Sequence, residues 1–233
     1  MFNLAYADEL DELLQDDLYD VAESFEKSDQ SWWLIKPALA DKGMGIRLFH
    51  SREELEAIVE AFELEDEDED EDDGGDGDGT AVNMSQMREW IVQEYESRPL
   101  LLSLASGELA RKFHLRVYVL AVGALKVYVH TPFLALFADA PYSFPPAVQD
   151  GEELDLAPHL TNTCLQGDVP MHDNVRPWQG LEGATVTSEH RQGAALSAED
   201  VRTVEDSVAE TVSETFRAAL SAGSTFQVRG FSR

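Results

Sequence analysis

A short glycine-containing window of the chain combines cations with a loop that could bind a phosphate. The strand-like run that ends at Lys36 and Pro37 is followed by Lys42, Gly43 and Gly45. Glycines have no Cβ, so backbone N–H groups in such a loop can approach phosphate oxygens closely. The window therefore predicts an anion site. The alternative is that its lysines only pair with acidic side chains on the surface.

A second window carries the same kind of chemistry on a strand. Side chains alternate between the two faces of a strand, so Lys112, His114 and Arg116 are predicted to share one face. The apolar residues between and after them share the other, which packs into a core: Phe113, Leu115 and Val117. Together with the first window, this row predicts an anion site between two sheets that suits a polyphosphate. Surface ion pairing remains the alternative.

Composition narrows the class of protein. The 233 residues have a formal net charge of −29, and 12 of the 46 acidic residues lie within residues 63–78. Such a charge argues against nucleic acid as a partner, because non-specific binding to nucleic acid needs clustered cations. The lone cysteine, Cys164, excludes an internal disulfide and fits a reducing compartment. With no signal peptide and no long apolar run, the chain is predicted to be cytoplasmic and not to contact a membrane.

Hydrophobic periodicity predicts an α+β fold with antiparallel sheets. Ser51 and Glu54 have the spacing of a capping box, and Ser197 precedes a second predicted helix. The predicted helices are 8–26, 51–63 and 197–220. The predicted strands are two within 32–50, then 89–95, a hairpin of 113–120 with 125–131, and 134–138, followed by loops over 139–196.

The acidic segment is predicted to be a disordered surface insert, spanning 63–80 at its widest. Its core, LEDEDEDEDDGGDGDG over 64–79, has almost nothing apolar to bury, and its like charges repel. The alternative is a tract that binds a basic protein or cations. Around it we predict a helical segment over 1–30, the main domain over 31–225 and a divergent tail over 226–233.

Five segments, in this order, resemble the tubulin-tyrosine ligase family of the ATP-grasp superfamily. They are WLIKP (33–37), KGMGI (42–46), WIVQEY (90–95), RKFHLRVYVL (111–120) and HLTNT (159–163). The chain is most similar to fungal members, which include a processing-body protein. The resemblance implies a partial ATP-grasp fold in which two α+β subdomains hold ATP.

The resemblance also implies how the first window would bind ATP. Lys36 would contact the α- and β-phosphates, and Lys42, Gly43, Gly45 and Ile46 would belong to a lid over the phosphates. The hinge beside the adenine, acting largely through backbone groups, would be formed by Gln93, Glu94 and Tyr95.

The second window would supply the catalytic groups. By resemblance, Lys112 and Arg116 would face the γ-phosphate and the acceptor carboxylate. His114, Thr161 and Asn162 would line the same pocket. The implied reaction is ATP-dependent ligation of an amino acid, such as tyrosine, to a protein C-terminal carboxylate through an acyl phosphate. The implied protein partner is a tubulin-type tail.

The chain departs from the family pattern at three places. His114 stands where the family has aspartate, and residues 134–136 lack an arginine found in many tubulin-modifying members. The family's magnesium ligands follow the last helix, but residues 215–233 contain no Asp, Glu or Asn. We therefore expect the chain to stop or diverge before the metal-binding strands. This leaves open a degenerate nucleotide- or protein-binding module, or an interaction module that acts through the acidic insert.

Overall fold

The computed structural model describes residues 2–4, 7–26, 31–38, 43–69, 89–105, 107–123, 126–145, 154–162 and 174–221. The chain divides into two compact units, which are described separately. The first contains Met1–Pro99, Ser143–Leu156 and Asn162–Gly167, and the second contains Leu100–Tyr142, Ala157–Thr161 and Asp168–Arg233.

The first unit is an antiparallel sheet with helices packed on one face. Its strands are β1 (Phe2–Asn3), β2 (Trp32–Pro37), β3 (Arg47–Phe49) and β4 (Glu89–Tyr95), in the order β1-β4-β2-β3. Its helices are α1 (Leu10–Gln15), α2 (Tyr19–Glu26) and α3 (Arg52–Glu69).

The core of this unit lies between the sheet and the helices. Alternation along β2 turns Ile35 toward the helices, where it is fully buried together with Phe49 and Leu55. Phe62 of α3 packs against Trp90 of β4 with ring centroids 4.7 Å apart. Each such aliphatic or aromatic side chain contributes about 2 kcal/mol when fully buried, so this contact ties α3 to β4.

The predicted helix over 8–26 is two helices, α1 and α2, so the prediction of one continuous helix was wrong. The first ends where the Leu18 N–H donates to the Leu13 carbonyl at 2.8 Å, a backbone bond typical of helix C-termini. The change of direction lets Leu18 and Val21 join the core that already contains Leu10.

Helix α3 confirms the predicted N-terminus but not the predicted end. Glu54 N–H donates to Ser51 Oγ at 3.2 Å, which is half of a capping box. The Glu54 carboxylate accepts the backbone N–H of His50 at 2.7 Å instead of that of Ser51. The helix then continues to Glu69, six residues beyond the predicted end at Glu63. Glutamate is a good helix former, so charge repulsion alone did not end the helix. The rest of the acidic insert, residues 70–80, lies outside the described residues.

The second unit consists of small antiparallel sheets and one long helix. Two sheets have three strands, in the orders β10-β9-β6 and β12-β11-β5, and a third pairs β7 with β8. The strands are β5 (Leu101–Ser103), β6 (Phe113–Arg116), β7 (Val119–Val122), β8 (Lys126–Val129), β9 (Leu134–Phe137), β10 (Val175–Pro177), β11 (Thr185–Thr187) and β12 (Gln192–Ala195). The helix is α4 (Ala198–Ser221).

Trp178 is central to the core of the second unit. It lies in a 3-10 turn, Trp178–Leu181, and its ring stacks on Phe113 with centroids 5.9 Å apart. Its indole N–H donates to the Val201 carbonyl at 3.2 Å. The tryptophan thus connects β6 to the first turn of α4.

The predicted pairing of 113–120 with 125–131 was partly wrong. The first run divides into β6, which pairs with β9, and β7, which forms the hairpin with β8 around Gly123. The division lets Phe113 pack on Phe137, whose rings lie 5.5 Å apart. The strand predicted over 134–138 is confirmed as β9. The predicted loop region contains the three-residue strands β10 and β11 and the four-residue β12, which are too short to show a clear period.

Helix α4 confirms the prediction over 197–220 within one residue. The Asp200 N–H donates to Ser197 Oγ at 3.1 Å, and the Asp200 carboxylate accepts the Ser197 N–H at 2.8 Å. The predicted apolar stripe packs only in its first half, because Val201 is buried whereas Leu220 is 53% exposed.

The predicted α+β class with antiparallel sheets is confirmed, since every strand pair in the described ranges is antiparallel. No helix of the described part of the chain is long and apolar enough to span a membrane.

Candidate functional site

Lys36 stands on the sheet face of the first unit that lies opposite the helices. Its Nζ donates to Gln93 Oε1 of the neighbouring strand at 2.8 Å. In the register of β2 and β4, Leu34 faces Gln93 and Lys36 faces Ile91, so the bond runs diagonally between strands. The amide holds the ammonium group in place without neutralising it. A cation held this way can bind an anion.

The same face carries a small apolar cluster beside Lys36. Its buried members are Trp32, Leu34, Leu48 and Tyr95, and Ile46 packs against them. This cluster was not predicted from the sequence, although the alternation of Trp32, Leu34 and Lys36 along β2 could have indicated a second apolar face. Leu154 and Leu156 also pack against the cluster, so its side chains are covered.

The three predicted hinge residues do not share one orientation. Tyr95 is buried in the apolar cluster, whereas Glu94 is exposed and alternates to the opposite face of β4. Strand β1 pairs only with Glu89 and Trp90. The outer edge of β4 from 91 to 94 therefore has no strand partner among the described residues, as backbone recognition of a ligand requires.

The glycine loop has the backbone geometry that its glycines suggested. Gly43 and Gly45 have φ values of 87° and 69°, in the left-handed region that side-chain-bearing residues rarely adopt. Ile46 is partly buried after the loop. Lys42 lies outside the described residues.

Two cations close in sequence to the predicted windows, Arg47 and Arg111, have structural partners. Arg47 lies over the ring of Phe62 at 5.5 Å. Arg111 donates to Asn174 Oδ1 at 2.7 Å and to the Ala138 carbonyl at 3.2 Å. Local sequence does not separate such cations from those of a site, because their partners are distant in the chain.

The alternation predicted for β6 is confirmed in the second unit. Phe113, Leu115 and Val117 pack against the core. His114 is on the other face, and Lys112 and Arg116 are near enough to act on its charge. Arg116 is exposed, while Lys112 and His114 are partly buried. The face therefore has a positive potential.

His114 is held by a hydrogen bond and kept neutral. Its Nδ1 lies 2.5 Å from the Oγ1 of Thr161, a buried residue. Burial lowers the pKa of His114, and the charges of Arg116 and Lys112 lower it further. A protonated imidazole is thus disfavoured, and the positive charge of this face comes from Lys112 and Arg116.

The predicted site residues fall into two groups, one in each unit. Lys36 and Gln93 are in contact in the first unit, which also contains the glycine loop and Asn162. In the second unit, His114 is in contact with Thr161 and lies near the charges of Lys112 and Arg116.

The part of the chain that the structure describes contains no cluster of three or more His, Cys, Asp or Glu side chains able to hold a metal ion.

The structure is therefore that of an α+β protein with antiparallel sheets, and each of its two units carries a group of cations. The model of the tubulin-tyrosine ligase family matches residues 7–230. The chain belongs to the tubulin-tyrosine ligase family.

Two fungal relatives and one solved structure illustrate the similarity. The chain is 42% identical over 176 residues to a probable tubulin–tyrosine ligase of Saccharomyces cerevisiae, PBY1, covering 70% of this chain and 23% of the relative. It is 40% identical over 185 residues to a probable tubulin–tyrosine ligase of Schizosaccharomyces pombe, C12B10.04, covering 74% and 43%. The chain therefore spans less than half the length of either relative.

The solved structure is the C-terminal domain of K. lactis Pby1, described as an ATP-grasp enzyme that interacts with the mRNA decapping enzyme Dcp2. The two chains are 28% identical, and the match covers 94% of this chain and 46% of that chain, with a TM-score of 0.46.

Proposed function

We propose that the chain is the part of a tubulin-tyrosine-ligase-type enzyme that binds ATP and activates a carboxylate. In this reaction a terminal carboxylate oxygen attacks the γ-phosphorus of ATP, ADP leaves, and an acyl phosphate forms. The amine of an amino acid then attacks the acyl carbon, phosphate leaves, and the amine loses a proton as the amide bond forms. The protein contributes positioning and charge stabilisation.

The observation that carries this proposal is the contact between Lys36 and Gln93 beside the apolar cluster. The ammonium group would bind the α- and β-phosphates. Gly43 and Gly45 would bring backbone N–H groups of the loop, with Lys42 and Ile46, to the phosphates. The edge of β4 at 93–95 would hydrogen-bond the adenine.

The cationic row of Lys112 and Arg116 supports the first step, in which the carboxylate is phosphorylated. Lys112 and Arg116 would stabilise the charge that develops on the γ-phosphate and the acceptor carboxylate. Thr161 would orient His114. Because His114 is neutral, Lys112 and Arg116 supply the positive charge of this face, which suits an anionic acceptor.

The acceptor is proposed to be the C-terminal tail of a protein, tubulin by family resemblance, and the donor an amino acid. The fungal members that the chain resembles include a processing-body protein, so we propose the cytoplasm, including processing bodies, as its location. A fluorescent fusion that stays diffuse while a decapping marker forms foci would contradict the proposed location in processing bodies.

Calorimetry tests the nucleotide site most directly. ATP would be titrated into the chain and into Lys36→Ala, each with and without magnesium. We expect binding that Lys36→Ala weakens at least about tenfold, equivalent to 1.4 kcal/mol. Lys126→Ala, which removes a cation from the exposed β8, is the matched control and should bind normally.

A ligase assay then separates an enzyme from a binding module. Incorporation of a labelled amino acid into a carboxylate-ended peptide, lost in Arg116→Ala, would support turnover. ATP binding without incorporation would favour the alternative of a module that binds nucleotide or protein without catalysis. Absence of ATP binding in every condition would contradict the proposal.

A further inference from the structure

The ribbon of β7 and β8 has one face that the core of the second unit does not use. Side chains alternate along both strands, and Val117 and Val129 are among those that pack against the core. The opposite face, called the outward face below, consists of three cross-strand pairs: Tyr118 with His130, Leu120 with Tyr128, and Val122 with Lys126.

The outward face is largely apolar and open to solvent. Its four apolar or aromatic side chains are between 48% and 62% exposed: Tyr118, Leu120, Val122 and Tyr128. In the described ranges, β7 and β8 pair only with each other, and a two-stranded ribbon by itself is marginally stable in water. Because an exposed apolar patch of this kind marks an interaction surface, the face is a candidate for a contact with another molecule.

The charge of the ribbon differs from that of the chain as a whole. Acidic residues make up 46 of the 233 residues, but none occurs between Glu108 and Asp139. Lys126 belongs to the outward face, and Arg116 lies two residues before Tyr118; both cations are exposed. The ribbon itself therefore supplies positive charge and no negative charge, on a chain whose net charge is −29.

We propose that the outward face binds a short segment of another protein that combines aromatic or aliphatic side chains with carboxylates. The apolar side chains of the segment would pack on Leu120 and Tyr128, and a carboxylate would pair with Lys126. The strand rises about 14 Å from residue 118 to residue 122, which matches about five residues of an extended segment. The inference does not depend on the proposed activity, because the carboxylates are side chains and no free C-terminus is needed.

Charge and size favour this occupant over a second copy of the chain. A symmetric contact would bring two outward faces of the same positive sign together, and the net charge of −29 on each chain would add repulsion. A stable interface between two proteins uses about 20–30 residues on each side, many more than the outward face offers. A short acidic and apolar segment complements the face in both respects.

A synthetic peptide tests the proposed chemistry on the full chain. The probe is a fluorescent peptide, blocked at both ends, in which glutamates alternate with leucine and phenylalanine. Two comparison peptides carry lysine in place of glutamate, or serine in place of the apolar residues. Fluorescence anisotropy should show binding of the glutamate peptide, and each comparison peptide should bind at least about fivefold more weakly.

Two variants of the chain, each with a matched control, locate the binding. Leu120→Thr combined with Tyr128→Thr removes the apolar side chains but keeps residues that favour strands, and Lys126→Glu reverses the charge. Both should weaken binding of the glutamate peptide severalfold. The controls are Tyr19→Thr, which alters a tyrosine of the first unit that is 59% exposed, and Arg202→Glu, which reverses an exposed cation of α4. Both controls should bind as the native chain does.

Four results would overturn the proposal. The first two are absence of binding by the glutamate peptide and equal binding of the glutamate and lysine peptides. The third is a dimer of the native chain in sedimentation that the double threonine variant abolishes, which would assign the outward face to a second copy. The fourth is co-sedimentation with phosphatidylserine vesicles that the same variant abolishes, which would assign it to a lipid surface.

Discussion

His114 Nδ1 lies 2.5 Å from Thr161 Oγ1, and the imidazole sits between the charges of Lys112 and Arg116. Burial, then Arg116, then Lys112 lower the pKa of His114 below its ordinary value of 6.5. A histidine in the middle of a cationic row is therefore a neutral hydrogen-bonding group at pH 7. This has a consequence for stability and not only for ligand binding.

Because the folded state binds a proton on His114 less readily than the unfolded state, acid should destabilise the protein. The contribution is complete above about pH 6.5 and is lost as the pH falls toward the lowered pKa of the folded state. Denaturant midpoints at pH 8 and pH 5.5 should differ less in His114→Gln than in the native chain. The control His190→Gln alters an exposed imidazole and should retain the native difference. Equal pH dependence in all three chains would refute this role of His114.

Replacing Gln93 by glutamate should weaken ATP binding on the proposed function. The new carboxylate would lie at the position that now holds Lys36 Nζ at 2.8 Å, where it would neutralise the lysine and repel phosphate. We expect a loss of about tenfold or more in affinity, or 1.4 kcal/mol. Gln192→Glu in the second unit adds the same charge at an exposed position and should bind as the native chain does. Unchanged affinity in Gln93→Glu would remove Lys36 from the phosphate site.

Gly45→Ala should cost about 1–2 kcal/mol of stability, because its φ of 69° lies in the left-handed region. Gly180 is the matched control, since its φ is not left-handed and a Cβ there would meet no atom within 4 Å. Chemical denaturation of both variants measures the difference. If Gly45→Ala is as stable as Gly180→Ala, the loop does not require the glycine geometry.

Alanine substitutions at Arg111 and Arg116 should distinguish a structural arginine from one that acts in ligation. Arg111→Ala removes a charged partner of the buried Asn174 and should cost about 2–3 kcal/mol of stability. Arg116 is exposed, so Arg116→Ala should change stability by less than about 0.5 kcal/mol while reducing ligation. Unfolding curves and the ligase assay, run on both variants, test the pair. A large stability loss in Arg116→Ala would place it in the structural network.

Ser197→Ala should destabilise α4 by about 1 kcal/mol, since it removes the hydroxyl that accepts the Asp200 N–H. The same hydroxyl also helps to lower the pKa of Asp200, after the larger effect of Arg191. Ser207→Ala, in the exposed interior of the helix, should be neutral or slightly stabilising. Thermal melts of the two variants measure the difference. Equal midpoints would show that the Ser197 cap does not stabilise the helix.

The elements predicted correctly are those whose signals are local. Helix α4 begins at a serine with a carboxylate three residues later, and β9 is a short apolar run with its partner nearby. The break between α1 and α2 was missed because acidic residues 16 and 17 do not interrupt the apolar spacing. The pairing of β6 was missed because 113–120 reads as one strand, and only packing on Phe137 divides it.

The candidate site was predictable where residue type determines geometry. Glycines at 43 and 45 implied the left-handed backbone that is observed, and alternation implied that Phe113, Leu115 and Val117 pack against the core. The roles of individual cations were not predictable in this way. Arg111 and Lys112 are adjacent, but a buried asparagine 63 residues away makes the first of them structural. The ATP-site roles of the row remain predictions.

The packing of Phe62 on Trp90 has a consequence for where the chain can tolerate insertions. The rings lie 4.7 Å apart, so helix α3 and strand β4 are anchored in one core. The entropy of closing a loop grows by only about 0.6 kcal/mol for each doubling of its length. An insertion between Glu69 and Glu89, such as a tag or a folded module, is therefore expected to cost the fold little.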